Sequence, residues 1–304
     1  MKLSKIFLLF IVFLLLMVVA AFPSVSDRFP SMQKKEVVND LPFQSFTNEN
    51  TKSITIHKKA DSALLTKEVN SWKIASYSAS PKEIESFFSA LKESTIERVV
   101  SKNIQNQSEY ELASDSGTFV TINSANNTST FVVGKVGPET GSFYAKKMDS
   151  DNVYLVKGPL RDIISAKALD WRNKVVAIVN QANIFSIDSS TKTPFFVTKK
   201  DNGKWEVSIG EKKKELEDTD IASAFSYLAS LEGYDFLSSE EIKEFASSKQ
   251  YTITFFDQSR TRVTTLTLAD KEADFWIKGD QNDEVMKVYG YKLDGLLKLQ
   301  EKLQ

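Results

Sequence analysis

The sequence predicts an α+β protein of two tandem, pseudo-symmetric modules, each a curved antiparallel sheet with helices on one face, behind an N-terminal transmembrane helix. An ordered series of similar segments occurs twice along the 304 residues, which indicates an internal repeat. Short strands separated by Gly, Asn and Asp favour antiparallel pairing over crossover connections. A long apolar run near the start predicts the transmembrane helix. We expect module 1 over residues 51–172 and module 2 over residues 173–304.

The first 22 residues predict how the chain is attached to a membrane. Lys2 and Lys5 precede 17 apolar residues, 6–22, a run within the workable range of about 17 to 25 for a bilayer-spanning helix. Because basic residues favour the cytoplasmic side, we expect residues 1–5 in the cytoplasm and the C-terminal head outside a single-pass cell-membrane anchor. A cleaved signal peptide is the alternative, with "VVAAF" as its cleavage region.

Residues 23–50 predict a spacer between the anchor and the head. Pro23, Pro30 and Pro42 interrupt regular helix. The polar stretch "FTNENTKS" that follows is typical of a break between elements. We therefore expect a stalk that holds the head away from the membrane.

Each module opens with strand-like segments. We align "ITIHKK" (54–59) with "FFVTKK" (195–200), because each ends in a Lys pair. A Trp then begins an apolar alternation, Trp72 in module 1 and Trp205 in module 2. This alternation predicts a further strand in each module.

An amphipathic helix follows in each module. In the first, Ser80 is a candidate N-cap, Pro81 takes the first helical position and Glu83 closes a capping box. In the second, Thr219 or Asp218 is the candidate cap. The apolar residues recur at i, i+3, i+4 and i+7, which predicts one buried helix face. They are Ile84, Phe87, Phe88 and Leu91 in module 1, and Ile221, Ala224, Phe225 and Leu228 in module 2.

The later segments of the two modules also correspond, in the same order. These pairs predict four strands in each module, two of them with Tyr144 opposite Trp276 and Val153 opposite Val285. The pairs are "TFVTI" with "YTITFF", "TFVVG" with "VTTLTL", "FYAKK" with "FWIKG" and "NVYLV" with "EVMKV". A short closing helix is expected from Leu160, Ile163 and Ile164 in module 1, and from Leu293, Leu296 and Leu297 in module 2.

Composition excludes several classes of function. The net charge of −1 argues against nucleic-acid binding, which normally needs a basic face. Without cysteine the chain has no disulfide, no thiol nucleophile and no cysteine zinc site. His57 is the single histidine, in a predicted strand. The acidic stretches from Asp149 and Asp280 lack the Gly and the closing Glu of a calcium loop and predict hairpin turns. We expect no metal, no cofactor and no catalytic residue.

The paired arrangement of anchor, "WKI"-type strand, amphipathic helix, "FYAKK…NVYLV" and "LDWRNKVV" resembles the bacterial family known as domain of unknown function 4340. The resemblance covers nearly everything after the spacer. It implies a membrane-anchored, extracytoplasmic accessory protein, of a kind often encoded beside ABC-type transporters related to gliding-motility systems. No catalytic residues are defined for the family, so the resemblance implies none.

The segment "ALDWRNKVVAIV", residues 168–179, is the candidate site. Asp170, Trp171, Arg172 and Lys174 form either a small polar site or a structural joint. The repeat alignment leaves these residues without a counterpart after module 2. We therefore predict a structural seam between the modules, with Trp171 as an apolar plug and with Asp170 and Arg172 as its hydrogen-bonding rim.

Three functions follow from these expectations. The first is a non-catalytic accessory or scaffold protein of a membrane complex, with ABC-type transporter subunits as partners. The second is a ligand-binding module for envelope sugars or small molecules in the groove between the modules, since such grooves are common ligand sites. The third is an envelope hydrolase with paired carboxylates, which requires a buried acid pair with perturbed pKa values.

Overall fold

Two nine-stranded sheets, one in each module, dominate the computed structural model, which describes residues 41–69, 71–125 and 127–303. The strand pairs of both sheets are antiparallel. The expected α+β class with two large sheets is therefore confirmed. No helix within the described residues is long and apolar enough to span a bilayer. The anchor predicted over 6–22 lies outside the described residues.

Module 1 folds outward from its first strand in two directions. Its strands are β1 (Thr51–Lys58), β2 (Asp61–Lys67), β3 (Trp72–Ile74), β4 (Tyr77–Ser78), β5 (Thr95–Ser101), β6 (Thr118–Ser124), β7 (Thr128–Val136), β8 (Ser142–Lys147) and β9 (Val153–Lys157). Their order is β4-β3-β2-β1-β6-β7-β8-β9-β5. Helix α1 (Pro81–Glu93) therefore leads from one edge of the sheet to the other, where β5 pairs with β9. Helix α2 (Leu160–Ile163) follows β9.

Module 2 repeats this order position by position. A separate pair, β10 (Val175–Ala177) with β15 (Leu231–Glu232), lies outside its large sheet. The sheet contains β11 (Ser186–Ser189), β12 (Phe195–Lys199), β13 (Trp205–Ile209), β14 (Lys212–Leu216), β16 (Asp235–Phe236), β17 (Tyr251–Phe256), β18 (Arg262–Lys271), β19 (Asp274–Gly279) and β20 (Asn282–Tyr289). Their order is β14-β13-β12-β11-β17-β18-β19-β20-β16. The helices are α3 (Asp218–Phe225), α4 (Ser239–Ser247) and α5 (Tyr291–Leu297).

The strand register corrects the alignment of the opening strands. Ile54 on β1 lies opposite Leu65 on β2, and Ile187 on β11 lies opposite Val197 on β12. Strand β11 is therefore the counterpart of β1, and "FFVTKK" is the counterpart of β2. The alignment went wrong because β11 reads "SIDS", which is too short and polar to show an apolar alternation.

The later correspondences are confirmed by register. Strands β6 to β9 take the same places as β17 to β20. Thr118 pairs with Val133 in module 1 as Tyr251 pairs with Leu268 in module 2. The two acidic stretches lie in the β8–β9 and β19–β20 turns, as expected.

Both amphipathic helices form, with one difference at their starts. The Ser80 hydroxyl accepts a hydrogen bond from the backbone N–H of Glu83 (3.3 Å), as predicted. In module 2 the cap is Glu217, one residue before Asp218 and two before Thr219, and its backbone N–H donates to the Asp220 carboxylate at 3.3 Å. The backbone N–H of Asp220 donates to the Glu217 carbonyl oxygen at 3.0 Å, and the helix itself begins at Asp218.

Most helices pack on one face of their sheet, but α4 does not. Buried residues of α1 and α2 join the module 1 core, and those of α3 and α5 join the module 2 core. Phe245 of α4 instead packs with Ala269 and Trp276, which point to the opposite face of the module 2 sheet. The expectation of helices on a single face is thus wrong for α4, because this second face carries apolar residues that need cover.

The end of the predicted spacer belongs to module 1. Among the described residues of the range 23–50, Leu41, Phe43 and Phe46 are buried in the module 1 core. The ring centroids of Phe43 and Phe131 lie 5.0 Å apart, edge to face. These apolar side chains contribute to the core before β1 begins.

Candidate functional site

The guanidinium of Arg172 lies between aromatic rings of the two modules. Its Cζ is 3.8 Å from the ring centroid of Tyr77 in module 1 and 3.6 Å from that of Phe236 in module 2. It also forms an ion pair with Glu284 on β20, and the two side chains are only 15% and 19% exposed. Stacking on rings and a shielded ion pair are both favourable for a planar guanidinium. We call this arrangement of four side chains the Arg172 clamp.

Burial lowers the pKa of Arg172, whereas nearby Tyr77 and Asp235 act in the opposite direction. The guanidinium keeps its charge at physiological pH, because arginine is not deprotonated in proteins. The clamp is therefore a cationic contact under ordinary conditions.

Backbone contacts hold the chain on either side of Arg172. Gly279 on β19 permits a close approach, since a Cβ at this position would lie 1.9 Å from the carbonyl oxygen of Val176. Hydrogen bonds join the connecting residues to both modules. They run from Ser80 N to Trp171 O (2.8 Å), Asn173 N to Ser78 O (2.8 Å), Gly233 N to Lys174 O (2.9 Å) and Asn282 Nδ2 to Asn173 O (2.9 Å).

The four residues of the predicted seam take different places. Trp171 is buried in the module 1 core, where its ring meets Phe87 edge to face at 5.9 Å. Its Nε1 donates to the carbonyl oxygen of Ser165 at 2.8 Å, and the Ser165 hydroxyl donates to Asp170 at 2.6 Å. Trp171 and Asp170 therefore fasten the end of module 1. Arg172 and the backbone of Lys174 contact module 2.

A crevice of about 310 Å³ opens beside the clamp. Module 1 contributes Lys82 and Glu83 from the first turn of α1, together with Asp170, and module 2 contributes Glu232. Arg172 lines the crevice as well. The groove expected between the modules is thus present, with charges of both signs along its walls.

An exposed row of tyrosines occupies another part of module 2. Tyr234 and Tyr289 stack at 4.2 Å, Tyr289 and Tyr291 stack at 5.7 Å, and Tyr227 meets Tyr291 edge to face at 5.4 Å. Their exposed fractions lie between 39% and 55%. The Tyr234 hydroxyl donates to Asp274 at 3.1 Å. Burial, and then this hydrogen bond, raise the pKa of Tyr234, so its phenol stays neutral. We call these four residues the tyrosine row.

Module 1 carries no such row at the equivalent positions. Lys157 pairs with Ser142 at the place where Tyr289 pairs with Asp274. Two residues further on, Pro159 stands where module 2 has Tyr291. Because the same fold forms without these tyrosines, the fold does not require them.

The single histidine lies on the surface of module 1. His57 is exposed on β1, with its ring 6.3 Å from that of Phe119. Within the described ranges 41–69, 71–125 and 127–303, no three His, Cys, Asp or Glu side chains lie close enough together to hold a metal ion.

The family described as domain of unknown function (DUF4340) matches residues 72–251, more than half of the chain, and the chain belongs to this family. The matched span begins at Trp72 on β3 and ends at Tyr251 on β17, and it includes Arg172 of the clamp but not Glu284. The resemblance noted from the sequence is therefore confirmed. No curated protein and no solved structure matches the chain.

Proposed function

We propose that this protein is a non-catalytic accessory protein of the cell envelope, anchored by the apolar segment 6–22 and serving a membrane complex with ABC-type transporter subunits. The Arg172 clamp is the observation that carries the proposal. A scaffold must keep two surfaces in a fixed relation, and the clamp ties two equivalent sheets together through stacking and an ion pair.

The tyrosine row supports a protein subunit as the partner. Tyr is enriched among the residues that dominate protein interfaces, because it offers a large amphipathic surface at a small cost in entropy. Mutual stacking of Tyr234, Tyr289 and Tyr291 already restricts their rotamers. Binding through these rings would therefore immobilise little that is not ordered beforehand.

A membrane pull-down with the full chain tests this function. We expect transporter subunits to co-purify with the unchanged chain, and to be depleted about tenfold or more when Tyr289→Ala and Tyr291→Ala are combined. Phe196→Ala is the matched control, since Phe196 is 48% exposed in module 2 outside the row. Retention of the partner by the double variant, or its equal loss in the control, would remove the tyrosine row from the interface. Turnover of an envelope substrate by the purified chain would contradict the non-catalytic role.

Ligand binding in the crevice is the second candidate function. One observation favours it: the Nε of Arg172 is buried and has no hydrogen-bond partner among the described residues, while Arg172 lines the crevice. A small envelope sugar or carboxylate could satisfy this donor. A ligand-dependent rise in melting temperature that disappears in Arg172→Lys but persists in Arg98→Lys would support the crevice over the scaffold role.

The hydrolase alternative stays a prediction. A general acid needs a carboxyl group with a raised pKa. Where the pKa of a described carboxyl group departs from its ordinary value, it is lowered, as for Glu49, Asp149, Glu206, Asp220 and Glu241. No specific observation favours this activity over the other two.

A further inference from the structure

Two pockets at equivalent places in the modules differ in size and content. The module 1 pocket has a volume of about 220 Å³ and the module 2 pocket about 110 Å³. Thr118 and Val133 line the first, and their register counterparts Tyr251 and Leu268 line the second. The two pockets are therefore one feature of the repeated fold in two versions.

The module 2 version is filled and neutral. Tyr251, which is only 6% exposed, places a phenol ring where module 1 has the short side chain of Thr118. Lys192 and Asp270 both line this pocket and form an ion pair at 2.6 Å. In module 2 the Tyr251 ring thus occupies the pocket, and Asp270 neutralises the charge of Lys192.

The module 1 version is open and basic. Lys58, Arg161 and Lys167 line it, with Asp61 as the one carboxylate among its lining residues. The residues at the same distances along the repeat in module 2 are Thr191, Asp294 and Gln300. All three cations are therefore particular to module 1.

Most of the hydrogen-bond donors on these three side chains have no partner among the described residues. The amino groups of Lys58 and Lys167 make neither an ion pair nor a hydrogen bond with any residue that the structure describes. Arg161 donates from Nε to Gly134 O at 3.2 Å and from Nη1 to Asp162 at 3.4 Å. Its remaining amino group is left for a ligand.

Thr118 provides a neutral polar group on the wall of the same pocket. Its side chain is 8% exposed and lines the pocket. Its hydroxyl has no hydrogen-bond partner within the described part of the chain. The Thr118 oxygen is not among the enclosed unpaired polar atoms of the described residues, so it is open to solvent and can donate a hydrogen bond to a ligand in the pocket or accept one from it.

We propose that the module 1 pocket binds a small molecule through an oxyanion, a carboxylate or a phosphate group, held by Lys58, Arg161 and Lys167 and by the Thr118 hydroxyl. Arginine and lysine are the residues that bind such groups most strongly. The volume suits an inorganic anion or a single acidic sugar. This site is separate from the Arg172 clamp and the tyrosine row, so it does not depend on the accessory role.

Isothermal titration of the full chain in detergent, at low salt, with inorganic phosphate and with glucuronate tests the site. We expect saturable binding of at least one probe, with its loss in Thr118→Tyr, which gives module 1 the residue that module 2 carries. Lys58→Thr combined with Lys167→Gln should weaken binding about tenfold or more. Lys192→Thr is the matched control and should leave binding unchanged.

Three outcomes would overturn the proposal. One is that neither probe binds saturably to the unchanged chain. Another is that folded Thr118→Tyr binds as tightly as the unchanged chain. The third is that the double lysine variant binds with unchanged affinity. This variant decides if Thr118→Tyr fails to fold, because Lys58 and Lys167 are exposed and outside the core. Binding of phosphate-bearing lipid vesicles without saturable binding of either free probe would also overturn the proposal, because the site is proposed for a small molecule.

Discussion

The two modules share one strand order but carry different side chains at equivalent surface places. Module 1 has an open basic pocket where module 2 has a buried tyrosine, and module 2 has a tyrosine row where module 1 has Lys157 and Pro159. Positions needed for the core are apolar in both modules. The fold therefore serves as an internal control, and the positions at which the modules differ are the ones that report separate roles.

The two modules also differ in the segment of chain that covers the second face of the sheet. In module 2, helix α4 covers it with Phe245. In module 1, the irregular chain after β5 covers it with Tyr110 and Leu112. Beneath this cover Lys146 is buried, donates to Gln107 at 2.9 Å and has its pKa lowered by burial. One structural requirement has thus been met by a helix in one module and by a loop in the other.

The largest difference between the modules should follow from Trp171→Ala. Trp171 is 1% exposed and packs in module 1 alone, so we expect a loss of about 3–5 kcal/mol confined to that module. Hydrogen exchange read by mass spectrometry, peptide by peptide, measures each module separately. Leu169→Ala, at an exposed neighbour, is the control. An equal loss of protection in module 2 would make Trp171 the plug between the modules after all.

A slightly smaller effect is expected from Arg172→Ala. It removes both ring contacts and leaves Glu284 shielded without its partner, which should cost about 2–4 kcal/mol. Denaturant unfolding should change from one transition to two, because the modules lose their common clamp. Arg172→Lys should recover part of the loss, since lysine keeps the charge but not the plane. Arg98→Ala, an exposed site in module 1, should do nothing, and a single unchanged transition in Arg172→Ala would refute the clamp.

Replacing Trp72 and Trp205 by Phe should lower the stability by amounts that differ by about 1 kcal/mol. They occupy equivalent strands, but Trp72 donates from Nε1 to Asn48 Oδ1 at 2.8 Å, whereas no hydrogen bond from Trp205 Nε1 occurs within the described residues. Replacement by Phe costs similar volume in both. Trp72→Phe should therefore be more destabilising by about 1 kcal/mol in thermal or chemical unfolding. Equal losses would mean that the bond to Asn48 contributes nothing.

The smallest expected difference between the modules is in their stability at low pH. In module 2 hydrogen bonds from Lys200, Lys302 and the backbone of Ser238 lower the pKa values of Glu206, Asp220 and Glu241, respectively. A lowered folded-state pKa stabilises the fold above the unfolded value of about 4 and loses that contribution as pH falls through the folded value. Among the described residues of module 1 and of the chain that leads into it, the carboxyl groups with a lowered pKa are Glu49 and Asp149.

Module 2 should accordingly lose protection first when pH is lowered from 6 to 3. Exchange measurements across this range, with Lys302→Ala as a variant, check the expectation. The variant should lessen the acid dependence, because Asp220 then loses its donor. Earlier opening of module 1 would reverse the comparison.

The sequence predicted the fold where local patterns were strong. The correspondence between the two copies located β6 to β9 and their counterparts β17 to β20, and helical spacing located α1 and α3. The short strand β11 lacked that pattern, and the edge strands β5 and β16 were missed, since they pair only after the chain has crossed the sheet. Of the candidate site, the connection at Arg172 was recognised, but its partners Tyr77, Phe236 and Glu284 are far apart in the chain. Only folding brings them together.

The position of β5 also has a consequence for the kinetics of folding. Strand β5 is fifth in the sequence of module 1, but it pairs with β9, the last strand of that module. In module 2, β16 likewise pairs with β20, the last strand. Each module thus has a high contact order, which slows folding. Until the closing strand arrives, an unpaired strand edge is open to wrong partners. A chain emerging residue by residue would therefore be most prone to aggregation just before each module is completed.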